Sequence, residues 1–396
     1  MAEKVKIALV GCGGISGAHM GAYSTLAKAG ILNVEFVATC DVHTPAAEAR
    51  ADQAAELQDG RRPTVYSDVD EMLAKEPDIE AVDICALHRV HHDLAVSALD
   101  AGKHVIIEKP LGVTMKACAL ILEAARRNDR ILAVAENYRR STGQRAIKWA
   151  LDQGMIGAPR VLVYIDYGES LGPWGWRDNK IDAGAGWVLD GGVHYADMFR
   201  YHLGEAYEVY ADVRSFDPQR YQAAGEKADP IRVTNEDSAL AIIKFESGAV
   251  VQWSSVRAAP GRGFNQHLIY GEEGSLDYGG NLTLRGKDAI DIKGDYDRAL
   301  SDDERERLYP SGVTDTMATE LWEWAQSIRD DSYYPETDGV EGMKAMAICM
   351  GVLESAWINQ PVNLRQIEAC RITGYQDDMD RELGVLDTKW NVWATF

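Results

Sequence analysis

Residues 104–112 read HVIIEKPLG, an apolar run that stops abruptly at Glu108, Lys109 and Pro110. Proline cannot continue a ladder and a buried strand has no use for charge. Either the strand leaves the core there with both charges solvated, or it delivers Lys109 into a site. A second dense stretch begins at Trp174-Gly175-Trp176-Arg177 and continues as AGAGWVLDGGVHYADMFRYHLG over 183–204. From Leu189 onward, Val193, Ala196, Met198, Phe199 and Leu203 recur at roughly helical spacing. Asp190 and His194, four apart, are therefore expected to share a helix face. A carboxylate so placed can orient an imidazole and stabilise its charged form, which is what a general acid or base requires. The same spacing is also that of an ordinary intrahelical pair. Trp174, Trp176 and Trp187, beside Gly184, Gly186, Gly191 and Gly192, suit the apolar faces of a sugar ring and leave its hydroxyls to polar neighbours. They suit a core as well, and Arg177 could equally pair with a structural carboxylate.

The elements around these residues change character along the chain. In the first third, apolar β-rich runs at 4–10, 34–40, 81–87, 104–107 and 131–136 are separated by helix-compatible segments, including 91–102 and 114–128. That alternation predicts a doubly wound parallel sheet, a Rossmann domain over 1–137, whose ligand lies beyond the carboxyl ends of the strands. Gly11, Asp41, Leu87-His88 and Glu108-Lys109 all fall at such ends. Gly11, Gly13, Gly14, Ile15 and Ser16 form the first strand-to-helix turn, with serine where the dinucleotide fingerprint has its third glycine. Asp41 lies at the end of the second strand, placed to bind ribose hydroxyls and to repel a 2′-phosphate. The following Val42-His43-Thr44-Pro45 supplies no Arg or Lys, so NAD is expected over NADP unless His43, Arg50 or Arg61-Arg62 folds back.

From about 138 the pattern is that of an α+β domain around a large, mostly antiparallel, open sheet, with strands near 160–167, 207–215, 238–246, 249–256, 266–271 and 274–280. Helices are expected at 314–330 and 339–358, and the polar tail 361–396 is expected to wrap another surface, with the first domain as one candidate. The chain has 396 residues, 46% apolar and 26% charged, with a formal net charge of −21. That charge argues against nucleic acid and anionic membranes as partners. No run reaches the ~20 apolar residues of a membrane span, and no export leader is evident. Six scattered cysteines without a CxxC pair argue for reduced thiols in the cytoplasm and against a metal site.

Taken together, GCGGISGAH (11–19), HHDLAVSALDAGKHVIIEKPLG (91–112), GAGWVLDGGVHYAD (184–197) and YGEEGSLDY (270–278) resemble the Gfo/Idh/MocA oxidoreductases, over roughly residues 4–360. The string AGKHV-x-x-EKP is the most specific part. The resemblance implies that Lys109, Asp190 and His194 are catalytic, with His194 as acid/base. It implies that Glu108 and Lys109 are nicotinamide-side cofactor contacts and that the Lys109–Pro110 bond is cis. It also implies cofactor contacts at Leu87, His88 and His91, although this chain has Ala86-Leu87-His88 where the family often has Thr-Pro-Asn. The expected activity is hydride exchange between NAD and a secondary hydroxyl or keto carbon of a sugar, glycoside or inositol, with Lys109, Trp174, Trp176, Arg177, Asp190 and His194 meeting the substrate. The rivals are redox-assisted glycoside cleavage through a transient keto-sugar and, further off, a non-catalytic dinucleotide sensor. A homodimer or homotetramer through the open sheet is the assembly that the resemblance implies.

Overall fold

The computed structural model describes residues 3–223 and 227–387. The chain forms two compact units. The first runs to Gly112 and takes in Ala117–Ser141 and Ser301–Gly342; the second comprises Val113–Lys116, Thr142–Leu300 and the residues from Met343 onward. The division after Ser141 lies close to the expected one, but residues 301–342, assigned by sequence to the second part, belong to the first. The reason is an apolar stripe on the helix Thr316–Ser327. Ala318, Leu321, Trp324 and Ala325 are fully buried in one core with Ile7, Leu9, Tyr23 and Leu26. The tail, as far as described, stays with the second unit, and its last nine residues, 388–396, lie outside the described residues.

In the first unit, β1 (Val5–Val10), β2 (Val34–Cys40), β3 (Thr64–Tyr66), β4 (Ala81–Ile84), β5 (His104–Glu108) and β6 (Leu132–Ala135) form a parallel sheet in the order β3-β2-β1-β4-β5-β6. The linking helices are α1 (Gly14–Lys28), α2 (Thr44–Leu57), α3 (Val69–Lys75), α4 (His91–Asp100) and α5 (Met115–Asn128). This is the expected doubly wound fold. α3 starts as its sequence implies, with the Asp68 side chain accepting the Glu71 N–H at 2.8 Å. β1 and β4 are buried nearly throughout, as strands covered on both faces must be.

The second unit is built on a nine-stranded sheet. Its strands are β7 (Pro159–Tyr167), β8 (Ala206–Arg214), β11 (Ser238–Phe245), β12 (Val250–Val256), β13 (Phe264–Gly271), β14 (Gly274–Asp277), β15 (Asn281–Leu284), β16 (Ile290–Asp291) and β17 (Val362–Asn363). β9 (Gln219–Ala223) and β10 (Ala228–Arg232) form a separate hairpin. The order is β16-β15-β14-β13-β7-β12-β11-β8-β17, antiparallel except for the β7–β12 pair. β11 and β12 are joined at Ser247-Gly248, with Gly248 at φ +86° and the Phe245 N–H donating to Ala249 at 3.0 Å. Along β11 burial alternates strictly: Ala239, Ala241, Ile243 and Phe245 face the core, while Leu240, Ile242 and Lys244 face out. The unit's helices near the site are α6 (Thr142–Asp152), α7 (Lys180–Ala183), α8 (Trp187–Asp190) and α9 (Gly192–Leu203). Asp190 and His194 thus lie on two successive helices, not on one helix face as the spacing suggested. The break falls at a glycine pair pressed against aromatic rings. A Cβ on Gly192 would come within 2.6 Å of the Trp253 ring, so α9 can seat on β12 only with glycine there.

Candidate active site

The turn after β1 is shaped for an anion. Gly11 sits at φ +83°, and a Cβ on it would meet the main chain of Cys85 and Ala86 at 2.6–2.7 Å, so no other residue fits. Gly13 and Gly14 face open space, and Ile15 is exposed. α1 starts at Gly14 with no side-chain cap and no acid in its first turn, leaving its N–H groups and positive dipole end to a ligand. Ser16 is fully buried; its hydroxyl donates to the Gly13 carbonyl at 2.7 Å, a bond the usual glycine could not make. Asp41, just past β2, accepts the N–H groups of Cys12 at 2.6 Å and His43 at 2.7 Å. An uncapped helix terminus with an acid on the neighbouring strand fits the pyrophosphate and ribose of a dinucleotide. Of the three arginines that bear on cofactor choice, Arg61 pairs with Glu35 and Arg62 with Glu48 and Asp52. Arg50 does fold back, but all three of its guanidinium nitrogens are engaged there, donating to Ser16 Oγ at 2.8 Å, Gln53 Oε1 at 2.8 Å and the Gly13 carbonyl at 2.9 Å, so it leaves the Asp41 carboxylate un-neutralised and the expectation of NAD in place.

At the end of β4 the cofactor-contact candidates divide. Leu87 is exposed, whereas His88 and His91 are buried with ring centroids 5.6 Å apart. The His91 ring nitrogens face the carbonyls of Pro110 at 2.8 Å and Ala86 at 3.2 Å, so His91 braces main chain, and burial lowers its pKa. The Lys109–Pro110 peptide is cis. Lys109 is partly buried, and its N–H donates to Glu108 Oε2 at 3.0 Å. Glu108 itself is buried; its Oε1 lies 3.1 Å from Nε2 of His19, and the other ring nitrogen of His19 faces both oxygens of Asp83 at 3.0 Å. Sequence reasoning assigned no role to His19 or Asp83. The available signal was an aspartate inside the otherwise apolar strand AVDI, where a charge demands a partner.

In the second unit Trp174 and Trp187 stack at 5.4 Å with 25° between their planes. The Arg257 guanidinium lies 3.8 Å from the Trp187 ring and donates to Asp166 at 2.7 Å. Arg177 sits 4.3 Å from the Trp176 ring and donates through Nε to Asp190 at 2.8 Å. Trp174, Arg177, Trp187 and Arg257 line one cleft, floored by Asn235 and Glu236. Glu236 anchors the glycine-rich segment: its carboxylate accepts the N–H groups of Gly186 at 2.8 Å and Val188 at 2.9 Å at the start of α8. Burial raises its pKa, partly offset by those two bonds. His194 lies in the first turn of α9, partly buried. Glu236, like Asp166, had no assigned role in the sequence. Its signal resembles that of Glu108, a charge set against one end of a β-rich run, here NEDSALAIIKF.

Comparison with known proteins matches residues 5–136 to the oxidoreductase family with NAD-binding Rossmann fold and residues 144–277 to the GFO/IDH/MocA C-terminal domain. A levoglucosan dehydrogenase of Pseudarthrobacter phenanthrenivorans is 33% identical over 227 residues, which are 52% of this chain and 56% of that protein. The match thus spans little more than half of that relative's length. A 1,5-anhydro-D-fructose reductase of Ensifer adhaerens is 27% identical over 74% of this chain and 82% of its own. A solved levoglucosan dehydrogenase in complex with NADH shares the fold, with a TM-score of 0.73 and 23% identity over 91% of this chain and 99% of the other. With both family domains matched in order along one chain, the protein belongs to the GFO/IDH/MocA oxidoreductase family and carries its NAD-binding Rossmann fold.

Proposed function

We propose that the protein is an NAD-dependent dehydrogenase acting on a secondary hydroxyl, or the matching ketone, of a neutral sugar, glycoside or inositol. The observation that carries the substrate class is the Trp174–Trp187 stack flanked by two arginine–aspartate pairs. Stacked indoles offer an apolar face to a ring, and polar groups at their edge read its hydroxyls. Both guanidinium groups are already neutralised, Arg177 by Asp190 and Arg257 by Asp166, so neither favours an acidic or phosphorylated sugar. The named relatives, a levoglucosan dehydrogenase and an anhydrofructose reductase, support the same class.

Gly13, Gly14, Ile15 and Ser16 would hold the pyrophosphate and Asp41 the ribose, with Leu87, His88 and Glu108 toward the nicotinamide end. NAD supplies the hydride acceptor when bound. The chain's own residues handle the proton. His194 takes it from the substrate hydroxyl, Lys109 hydrogen-bonds the same oxygen, and Asp190, held in place by Arg177, offsets the charge that develops on the imidazole. The test is absorbance at 340 nm with NAD⁺ and NADP⁺ against monosaccharides, glycosides, anhydrosugars and inositols. A rise with NAD⁺ and one class is expected. A rise with NADP⁺ alone would overturn the reading of Asp41. Glycone release without net NADH would indicate redox-assisted cleavage.

The outward face of the second unit's sheet supports a homodimer. Tyr210, Leu240, Ile242, Val161 and Tyr270 are exposed on neighbouring strands, and Ile242 pairs directly with Tyr210. The exposed apolar residues fall in two groups, Tyr210 with Leu240 and Ile242, and Val161 with Tyr270, on either side of β12 with its exposed Gln252, and apolar exposure of this kind is what a subunit interface would cover. Ile242→Asp is expected to halve the mass measured by light scattering; an unchanged mass would rule this face out. We also place the protein in the cytoplasm, supported by six cysteines that form no disulfide. No helix among the described residues is long and apolar enough to cross a membrane.

A further inference from the structure

The first unit carries a buried ionic chain that hydride chemistry does not itself call for. His19, on α1, has no exposed surface; its Nδ1 faces both Asp83 oxygens at 3.0 Å and its Nε2 faces Glu108 Oε1 at 3.1 Å. Tyr23, also fully buried, donates its hydroxyl to Asp83 Oδ2 at 3.0 Å, and Cys85 Sγ lies 3.4 Å from Nδ1. Burial is the largest single influence and opposes charge on the ring, but Asp83 and Cys85 together outweigh it and hold the His19 pKa well above the usual histidine value. Each ring nitrogen then donates to a carboxylate. The far oxygen of Glu108 accepts the main-chain N–H of Lys109 at 3.0 Å. The chain therefore runs from the centre of β4, through α1, to the main chain of Lys109. Two carboxylates around one imidazolium are costly to desolvate, and apolar packing of the same volume is often at least as stable. What the ionic arrangement adds is a fixed direction. It ties the helix with the uncapped N-terminus to the end of the strand that carries Lys109.

We propose that His19 is a positioning residue for the reaction: clamped between Asp83 and Glu108, it fixes the carboxylate that holds the Lys109 main chain and so sets where Lys109 presents its amine. The inference rests on the assignment of Lys109 to the reacting oxygen. His19 has no exposed surface with which to meet substrate or nicotinamide, so its loss should be felt in turnover, not in cofactor affinity.

The test compares His19→Gln with the double variant His19→Gln/Asp83→Asn. Glutamine can donate to Glu108 but turns its carbonyl toward Asp83, where two acceptors repel. The asparagine amide of the double variant supplies the missing donor and rebuilds an uncharged chain of the same connectivity. His19→Gln is expected to lower kcat about ten- to a hundred-fold, the scale of a small misplacement at a reacting group, with the NAD⁺ dissociation constant and the substrate KM nearly unchanged. The double variant is expected to recover most of that loss, which general destabilisation would not do. Wild-type kcat in His19→Gln, a double variant worse than the single one, or loss of NAD⁺ affinity in step with kcat would each overturn the proposal. So would stoichiometric metal in the purified protein, because His19, Asp83 and Cys85 bring their ligand atoms within 4.8 Å of one another and an ion on Nδ1 would replace the proton. Lys109→Met is run alongside. Activity there removes the Lys109 assignment itself, whereas an active His19→Gln beside an inactive Lys109→Met removes only the positioning role.

Discussion

Lys109→Met is expected to lower kcat by about 10²- to 10⁴-fold, the usual worth of a positioned proton-transfer or hydrogen-bonding group, while NAD⁺ still binds. Methionine keeps the length and the apolar stem of lysine, so the loss isolates the amine. Cofactor affinity should survive because the groups suited to hold the dinucleotide lie elsewhere, at the uncapped start of α1 and at Asp41. The Glu108 carboxylate bonds the Lys109 main-chain N–H, not the side chain substituted, so that bond persists in the variant. Arginine should not restore activity, since its planar fork and fixed charge replace neither the point donor nor a proton it could release. Steady-state kcat with isothermal titration of NAD⁺ decides the matter. Near-normal turnover would refute the assigned role, and a parallel collapse of NAD⁺ binding would make Lys109 a cofactor ligand instead.

What the sequence revealed, and what it hid, follows from the range over which each signal acts. HVIIEKPLG singled out Lys109 as a candidate because a charge at the end of an apolar strand is a local contradiction, readable without knowing any partner. The same logic located Gly11 and Asp41 at strand ends, where the fold class fixes the geometry. His19 was hidden although it lies within GCGGISGAH, because its meaning comes from Asp83 and Glu108, 64 and 89 residues away. The pairing of Arg257 with Asp166 was equally out of reach, set by neighbouring strands of the large sheet. Asp190 and His194 were misplaced on a single helix because spacing alone cannot see that Trp187 and Trp253 press on the glycines between them. Residues 301–342 were given to the wrong unit for a related reason. The stripe Ala318, Leu321, Trp324 and Ala325 announces a buried face but not whose core receives it. α2 and β3 went unread because an alanine-rich, charge-dotted helix has little apolar contrast and a three-residue strand has almost no period to detect.

Arg140→Leu is expected to destabilise the first unit by about 3–5 kcal/mol, the cost of leaving buried carboxylates without their cation. Arg140 is 4% exposed, with Glu323 at 2.7 Å, Glu336 at 3.5 Å and Glu320 at 4.0 Å. Glu320 is the most vulnerable of the three, because neither of its oxygens has a hydrogen-bond partner among the described residues. Burial raises its pKa well above the carboxylate range, and Arg140 is the main influence pulling it back down. Leucine removes that pull, so the folded-state pKa of Glu320 rises further. A carboxyl group whose folded pKa exceeds its unfolded value favours folding at low pH and loses that contribution as pH rises through the folded pKa. The deficit of Arg140→Leu against the wild type should therefore be smaller at pH 5 than at pH 8. For a unit of this size the shift in melting midpoint at pH 8 should be on the order of 10 °C. Calorimetric melts of both proteins at the two pH values test the size and the sign together. A deficit that shrinks as pH rises would mean that the carboxylates remain charged in the variant and that water, not Arg140, carries their solvation.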